Sequence, residues 1–221
     1  MEAAPALHLS KLIIGNAGKA IAGPLDLDLW GGGLVALTGP NGTGKSTLLR
    51  TLLGLIPAIS GEISIAADSP PGYVPQAPPN FTGLPVNVSD VIRMGMRNVG
   101  SRTAVHDRAA AALSAVGLPG FERRMFDQLS GGEQKRIMLA RSLAARSTVI
   151  CMDEPTAQVD AEACSRIWTL LRQLAIEGRI VLVATHDLFH APEYASRVLV
   201  LNEGRITEAP TPWKASSQPS N

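Results

Sequence analysis

A glycine-rich loop between a predicted strand and a predicted helix constrains the fold of this 221-residue chain more than any other feature. The strand, Leu34–Thr38, is continuously apolar, which is typical of a strand buried on both faces of a parallel sheet. The loop Gly39–Thr47 follows directly, and the periodic helix after it, at about 44–54, directs Leu48 and Leu52 inward. A strand, a tight loop and a helix in this order predict an α/β fold.

The loop carries the residues of a phosphate-binding site. It reads Gly-Pro-Asn-Gly-Thr-Gly-Lys-Ser-Thr and matches the pattern G-x-x-x-x-G-K-[ST] throughout. Its glycines let backbone N–H groups face phosphate oxygens, and the helix N-terminus adds positive potential. We expect Lys45 to neutralise the β- and γ-phosphates of a nucleotide and Ser46 to bind Mg²⁺. The nucleotide-binding residues predicted in the loop are Gly39, Asn41, Gly42, Thr43, Gly44, Lys45, Ser46 and Thr47.

A second apolar strand, within Thr148–Asp153, ends in two acidic residues. Carboxylates at the tip of a buried parallel strand lie where α/β folds bind ligands. Asp153 is therefore a predicted Mg²⁺ ligand, and Glu154 is a predicted general base that orients and deprotonates water. Acidic residues often follow strands, so this interpretation depends on their partnership with Lys45.

The segment Leu129–Gln134 supports two interpretations. Ser130 and Glu133 have the spacing of a capping box, in which each side chain binds a backbone N–H at the helix start. Two consecutive glycines, Gly131 and Gly132, weaken such a start unless the backbone must approach another group closely. A helix N-terminus with exposed N–H groups and a serine hydroxyl is also an anion site. We expect both interpretations to hold.

The order of these motifs makes the chain similar to ABC-type ATPases over residues 6–208. The phosphate loop, Gln76, Leu-Ser-Gly-Gly-Glu, the strand with its two acids and His186 follow one another as in that family. The resemblance implies ATP and Mg²⁺ as cofactors and ATP hydrolysis coupled to transmembrane transport as the activity. It assigns Gln76 to the metal and the attacking water, and His186 to the γ-phosphate in the closed state.

The same resemblance implies a homodimer that encloses ATP between two copies of the chain. Asp160 would end the loop that crosses to the opposite subunit. The residues that would cap the γ-phosphate held by the second subunit are Ser130, Gly131 and Gly132.

Two stretches depart from the ABC pattern. These ATPases usually stack adenine on an aromatic residue of an early strand, but the matching stretch here, Gly15–Gly18, has none. Trp30 is too close to the phosphate loop along the chain to be an obvious substitute. The crossing loop usually reads Ser-Ala-Leu-Asp, whereas Ala157–Asp160 keeps only the acid. We therefore expect loose selectivity for the base.

Strand and helix patterns alternate at both ends of the chain, with a helical block between them. With the resemblance, they predict the α/β class: a P-loop NTPase (RecA-like) core with an N-terminal antiparallel β subdomain and an inserted α-helical subdomain at about 77–146. We expect one ABC-type ATPase domain over 1–209 and a disordered tail over 210–221. Asp107 is expected to open an alanine-rich helix, and the proline cluster at 68–86 to form a loop.

The charge and the apolar runs exclude some classes of function. A formal net charge of +1 leaves no electrostatic footprint for nucleic acid, so we expect no nucleic-acid partner. No apolar run approaches the ~20 residues of a membrane helix. The expected location is cytoplasmic, on the inner face of the cell membrane, where a separate permease holds the chain.

The cysteines and histidines give no further site in the sequence. Cys151 and Cys164 have neither disulfide-framework nor zinc spacing and are predicted to be buried, inert thiols. His186 and His190 are four residues apart and could share a helix face. Because no third ligand lies close to them in the sequence, a metal site there is disfavoured.

The resemblance also implies protein partners. An integral membrane permease would form the pore, and Phe81–Gly95 is the predicted surface that docks on it. The Leu-Pro-Val and Val-Ile-Arg-Met-Gly patterns in this segment, and the short link from Gly61 to Gln76, are similar to ATPases of zinc and manganese importers. Such a system includes an extracytoplasmic substrate-binding protein.

Other functions stay open on the sequence: a different importer, an exporter, a non-transport ABC ATPase, or an interaction module with a dead site. DNA-repair members of the family carry a long coiled coil and translation factors carry two cassettes, neither of which this sequence has. Glu154 and His186 argue against a dead site.

Overall fold

The computed structural model describes residues 5–66, 69–81, 83–96, 101–157, 159 and 161–209. The strands in this part of the chain are β1 (Leu7–Asn16), β2 (Lys19–Leu29), β3 (Leu34–Thr38), β4 (Ser60–Ile65), β5 (Gly72–Val74), β6 (Val149–Asp153), β7 (Ile180–Ala184), β8 (Arg197–Asn202) and β9 (Arg205–Ala209). The α-helices are α1 (Lys45–Leu52), α2 (Val88–Arg93), α3 (Arg102–Ala115), α4 (Gly131–Ala144), α5 (Ala161–Ile176) and α6 (His190–Tyr194).

A six-stranded sheet in the order β5-β6-β7-β3-β8-β9 forms the centre of the molecule. Its strands are parallel except for β9, which pairs antiparallel with β8 at the edge. Every residue of β3, β6 and β7 is buried, which explains their continuously apolar sequences. Successive residues of β3 face opposite layers: Leu34 and Ala36 join one hydrophobic core, and Val35 and Leu37 join the other.

A smaller antiparallel sheet in the order β2-β1-β4 covers one layer of the core. Helix α1 lies between this sheet and the central one, because its residues Leu48, Leu49 and Leu52 share a core with side chains of β1, β2, β3, β6 and β7. The antiparallel β subdomain, the parallel core and the α/β class are thus as predicted. They place the start of α1 at the carboxyl edge of β3.

The helices α2, α3 and α4 stand between β5 and β6 in the chain and pack on one another. Helix α4 contacts α2, α3 and β5, and its buried residues Ile137 and Ala140 join the core that contains Leu34 and Ala36. Helix α5 belongs to the same core through Trp168 and Leu171, both fully buried. The predicted tail, 210–221, lies outside the described residues.

Two local expectations were wrong. Asp107 lies inside α3, which begins five residues earlier because the Ser101 side chain caps it by accepting a hydrogen bond from the N–H of Ala104 at 3.1 Å. The proline-rich stretch contains a short strand, β5, which pairs with β6. Gly72 lets α4 pack closely on this strand, since a Cβ atom there would lie 2.5 Å from the side chain of Ser142 on α4.

Candidate nucleotide site

The glycine-rich loop joins the end of β3 to the start of α1. Residues Gly39–Gly44 form the turn, and α1 begins at Lys45. Glycine is required at the first position, where φ is +138° and a Cβ atom would lie 2.1 Å from the carbonyl oxygen of Leu201 on β8. The N-terminus of α1 therefore opens onto the carboxyl edge of the sheet, where an anion is favoured.

Lys45 is buried against the backbone of this loop. Its Nζ donates hydrogen bonds to the carbonyl oxygens of Gly39, at 2.7 Å, and Pro40, at 3.0 Å. Thr43 Oγ1 also donates to the Pro40 oxygen, at 2.9 Å. The ammonium group is thus held at the place where the loop pattern puts the phosphates of a nucleotide, and it suits their charge.

Asp153 ends β6 beside Ser46, the second residue of α1. Burial raises the pKa of the Asp153 carboxyl, while a hydrogen bond with Ser46 opposes that rise. The oxygen Oδ2 is buried and has no hydrogen-bond partner among the described residues. A carboxylate oxygen left without a donor, next to a serine hydroxyl, fits a hard cation such as Mg²⁺, which takes oxygen ligands.

Glu154 and His186 meet at the same edge of the sheet. The Nδ1 atom of His186 lies 2.9 Å from Oε2 of Glu154, and the side chain of Glu154 is only 11% exposed whereas that of His186 is 71% exposed. Glu154 has a φ of 50°, in the left-handed region, and its N–H donates to the carbonyl oxygen of Ala184 at 2.9 Å. Holding a non-glycine residue in this backbone conformation costs about 1–3 kcal/mol, and such conformations cluster at functional sites, where they fix the position of a side chain.

Neighbouring strands bring these residues together. Since β6 and β3 both flank β7, the segments that follow the three strands lie side by side at one edge. The residues of the candidate nucleotide site at this edge are Lys45, Ser46, Asp153, Glu154 and His186. Gln76 is exposed and follows β5. The last residue of β5, Val74, pairs with Met152, the residue before Asp153. Gln76 therefore lies just beyond the sheet at this same edge.

The segment at the start of α4 belongs to the helical block formed by α2, α3 and α4 and not to the sheet edge that carries Lys45 and Glu154. Ser130 caps α4: its backbone N–H donates to Glu133 Oε2 at 2.8 Å, and its Oγ accepts from the Glu133 N–H at 3.3 Å. The capping box is therefore as predicted, and it lowers the pKa of Glu133, chiefly through the hydrogen bond from the Ser130 backbone. A Cβ at Gly131 would meet no atom within 4 Å, so this turn presents its backbone outward. Asp160 lies outside the described residues.

Sequence reasoning missed Lys135, a buried cation of α4. Its Nζ donates to the carbonyl oxygens of Glu154, at 2.9 Å, and Ala157, at 3.2 Å. Burial lowers the pKa of this ammonium group, and the nearby Glu154 and Asp153 charges oppose that shift. The available signal was a lysine at a position that the helical period directs to the core. Lys135 links the helix headed by Ser130 to the turn that carries Glu154.

The region expected to hold adenine has no ring. Asn16 and Ala17 lie at the tight turn between β1 and β2, and the side chain of Ile21 on β2 is 39% exposed beside the phosphate loop. A Cβ built on Gly44 would lie 3.0 Å from Ile21 Cγ2. Trp30 precedes β3, so it lies at the opposite end of that strand from the loop. Trp30 therefore cannot replace the missing ring.

None of the helices in the described part of the chain is both long and apolar enough to cross a membrane. The thiols of Cys151 and Cys164 are free and buried, as predicted. Burial raises the pKa of Cys151 to about 12. The predicted docking segment, Phe81–Gly95, has both exposed and buried apolar residues. Leu84 and Met94 are exposed, at 60% and 59%. Val88, Val91 and Ile92 are buried in the core beneath α2, α3 and α4.

Fold and site define a P-loop ATPase, and comparison with known proteins specifies its family. A sequence model of the ABC transporter family matches residues 22–157, more than half of the chain. The manganese transport system ATP-binding protein MntB of Bacillus subtilis is 38% identical over 93% of this chain and 86% of its own length. The zinc transport system ATP-binding protein TroB of Treponema pallidum is 36% identical over 92% of this chain and 80% of its own.

A solved structure, a dimeric post-hydrolysis state of an ATP-binding cassette with ADP and Pi, matches at a TM-score of 0.78 and 27% identity, covering 92% of this chain and 97% of the other. Relatives named for import of Fe(3+) ions in Streptomyces avermitilis and of hemin in Thermobifida fusca also match. The chain belongs to the ABC transporter family, and it is an ATPase of that family.

Proposed function

We propose that this ATPase drives import of zinc or manganese through a separate membrane permease. The observation that carries the hydrolytic part is the meeting of the Glu154 carboxylate, the His186 imidazole, Asp153 and Lys45 at one edge of the sheet. The two curated relatives compared above, named for manganese and zinc transport, support the choice of ion. Relatives named for Fe(3+) and hemin import make iron the competing cargo.

In the proposed reaction, the phosphate loop and Lys45 bind the triphosphate of ATP. Ser46 and Asp153 would hold Mg²⁺, which neutralises charge on the β- and γ-phosphates. Gln76 orients the attacking water together with Glu154, which accepts its proton. His186, whose Nδ1 lies 2.9 Å from Oε2 of Glu154, would contact the γ-phosphate and hold the closed state.

We infer that two copies of the chain enclose each ATP. Ser130, Gly131 and Gly132 lie on the helical block, and their outward backbone suits the γ-phosphate of a facing subunit. Asp160 would end the loop that crosses between the copies. The dimeric relative with ADP and Pi supports this arrangement.

The proposed partners are integral membrane permease subunits and an extracytoplasmic substrate-binding protein, with the ATPase on the cytoplasmic face of the membrane. The exposed side chains of Leu84 and Met94 are the apolar part of the segment that we assign to the permease. Exposed apolar side chains often mark a surface that binds another protein. Contact with the permease would remove these two side chains from water.

The test begins with Glu154→Gln. Turnover should fall about 10²- to 10⁴-fold, because the general base is lost, while ATP binding persists because the phosphate loop is intact. Glu193→Gln, the same change on an exposed position of α6, is the control and should leave turnover unchanged. ATPase rates and equilibrium binding of a fluorescent ATP analogue measure both effects. Near-normal turnover of Glu154→Gln would contradict the assignment of the base.

The ion is tested by uptake of Zn²⁺, Mn²⁺ and Fe³⁺ into cells that carry the ATPase with its permease. We expect ATP-dependent uptake of zinc or manganese, lost with Glu154→Gln. Uptake of iron alone would overturn the proposed cargo and leave the ATPase assignment untouched.

A further inference from the structure

Three side chains of metal-ligating types converge near His186. Cys164 lies on α5, Asp187 follows β7, and His190 is the first residue of α6. Cys164 Sγ is 3.4 Å from Asp187 Oδ2 and 3.5 Å from His190 Nδ1, and that Nδ1 is 2.8 Å from Asp187 Oδ2. The three ligand atoms all lie within 4.8 Å of one another. The third ligand that the sequence lacked beside His190 therefore comes from a helix more than twenty residues earlier.

These spacings suit a tetrahedral ion. With Zn–S of about 2.3 Å and Zn–N and Zn–O of about 2.0–2.1 Å, tetrahedral geometry separates S from N and S from O by about 3.5 Å, and N from O by about 3.3 Å. The two sulfur distances already agree with these values. Only the distance between His190 and Asp187 has to open, by about half an ångström.

Asp187 Oδ2 is the carboxylate oxygen that faces Cys164 and His190. Asp187 Oδ1 accepts the backbone N–H groups of Phe189 and His190, at 3.1 and 2.9 Å, so its capping role does not use Oδ2. Ser165 Oγ lies 3.4 Å from His190 Nε2, where it can accept a hydrogen bond from the Nε2–H group when Nδ1 binds a metal. The Trp168 indole N–H donates to Asp187 Oδ2 at 3.1 Å and orients the carboxylate.

We propose that Cys164, Asp187 and His190 form a binding site for a zinc-class divalent cation, with a fourth position for water. The mixed sulfur, nitrogen and oxygen ligands favour Zn²⁺ over Mg²⁺ or Ca²⁺, which prefer oxygen alone. Binding replaces the thiol proton, which passes to solvent, by the metal. The site is separate from the nucleotide site, and its occupancy does not depend on the ion that the system transports.

The ion would tie α5 to the segment that carries His186, since Asp187 is its neighbour in the chain. All three side chains are largely buried, at 7% exposure for the Cys164 residue and 16% and 14% for the side chains of Asp187 and His190. The ion would therefore be held inside the protein rather than on its surface.

The test uses the full chain without nucleotide. Zn²⁺ binding is measured by calorimetry, and Co²⁺ is used as a spectroscopic substitute because thiolate ligation gives a charge-transfer band in the ultraviolet. We expect one Zn²⁺ per chain, a Co²⁺–thiolate band, and a change in tryptophan fluorescence from Trp168 beside the ligands.

Cys164→Ala should abolish the Co²⁺ band and weaken Zn²⁺ binding about tenfold or more, whereas Cys151→Ala, at the other buried thiol, should retain both. Retained binding of an ATP analogue shows that each variant is folded. Equal Zn²⁺ affinity in Cys164→Ala and the unaltered chain, or absence of the Co²⁺–thiolate band, would overturn the proposal and identify the cluster as a hydrogen-bonded cap only.

Discussion

At the scale of single residues, recognition of the base is the feature most particular to this chain. Asn16 and Ala17 occupy the turn where a ring is expected, and Trp30 lies at the opposite end of β3 from the phosphate loop. Stacking on an aromatic ring contributes ~1–3 kcal/mol per base in single-stranded nucleic-acid binders. Without it, the exposed aliphatic side chain of Ile21 lies beside the phosphate loop. Base selectivity should therefore be weak.

GTP should compete with ATP to within about tenfold, since a tenfold preference needs only ~1.4 kcal/mol. Asn16→Tyr should tighten ATP binding, because a ring at the end of β1 would restore a stacking surface. Competition titrations with a fluorescent analogue measure both. A strong preference for ATP in the unaltered chain would mean that another group, such as one from the second subunit, reads the base.

At the scale of elements, α4 is coupled to the turn after β6 through Lys135. Lys135→Met keeps much of the side-chain volume but removes the charged donor to the carbonyl oxygens of Glu154 and Ala157. Loss of one buried hydrogen bond to a charged group costs about 1.5–3 kcal/mol, so kcat should fall about tenfold or more as Glu154 loses its position, with ATP affinity little changed.

Arg136→Met is the control on the same helix, because Arg136 bonds to the carbonyl oxygen of Val116 on the other side and should not affect hydrolysis. Lys135→Arg should restore part of the rate, since it keeps a donor. Thermal unfolding distinguishes a general loss of stability from an effect on kcat. An unchanged kcat in Lys135→Met would show that Glu154 is positioned without this link.

At the scale of the whole molecule, dimerisation should depend on ATP and be strongest when hydrolysis is blocked. The facing Ser130 segment can bind the γ-phosphate of ATP, which ADP lacks. The two subunits should therefore separate after hydrolysis. Glu154→Gln protein with Mg-ATP should elute from a sizing column near twice the monomer mass. Adding Ser130→Arg should abolish that shift.

Ser114→Arg is the matched control for this experiment, since it adds the same charge at an exposed position of α3. It should leave the dimer intact. A monomer under all conditions, including with purified permease present, would contradict the enclosed-ATP arrangement.

The fold class and most of the nucleotide site were predictable from sequence because their determinants are local. A continuously apolar strand, the glycine-rich loop and the helix after it are contiguous, so β3, the loop and α1 follow from residues 34–54. The capping box at Ser130 is likewise a spacing within one turn of helix. The helix start was misplaced at Asp107 because several polar residues near it can cap, and only the backbone conformation shows that Ser101 does so.

Contacts between distant segments were decided by the tertiary structure alone. The sheet order places β7 beside β6, and this neighbourhood brings His186, which follows β7, to Glu154, which follows β6. The same packing lays α5 against the end of β7 and turns Cys164, expected to be inert, toward Asp187 and His190. Local sequence thus determined which groups bind phosphate, because that chemistry fits within one loop. Which side chains share a site across elements depended on packing, since strand order and helix placement arise from burial of apolar faces over the whole chain.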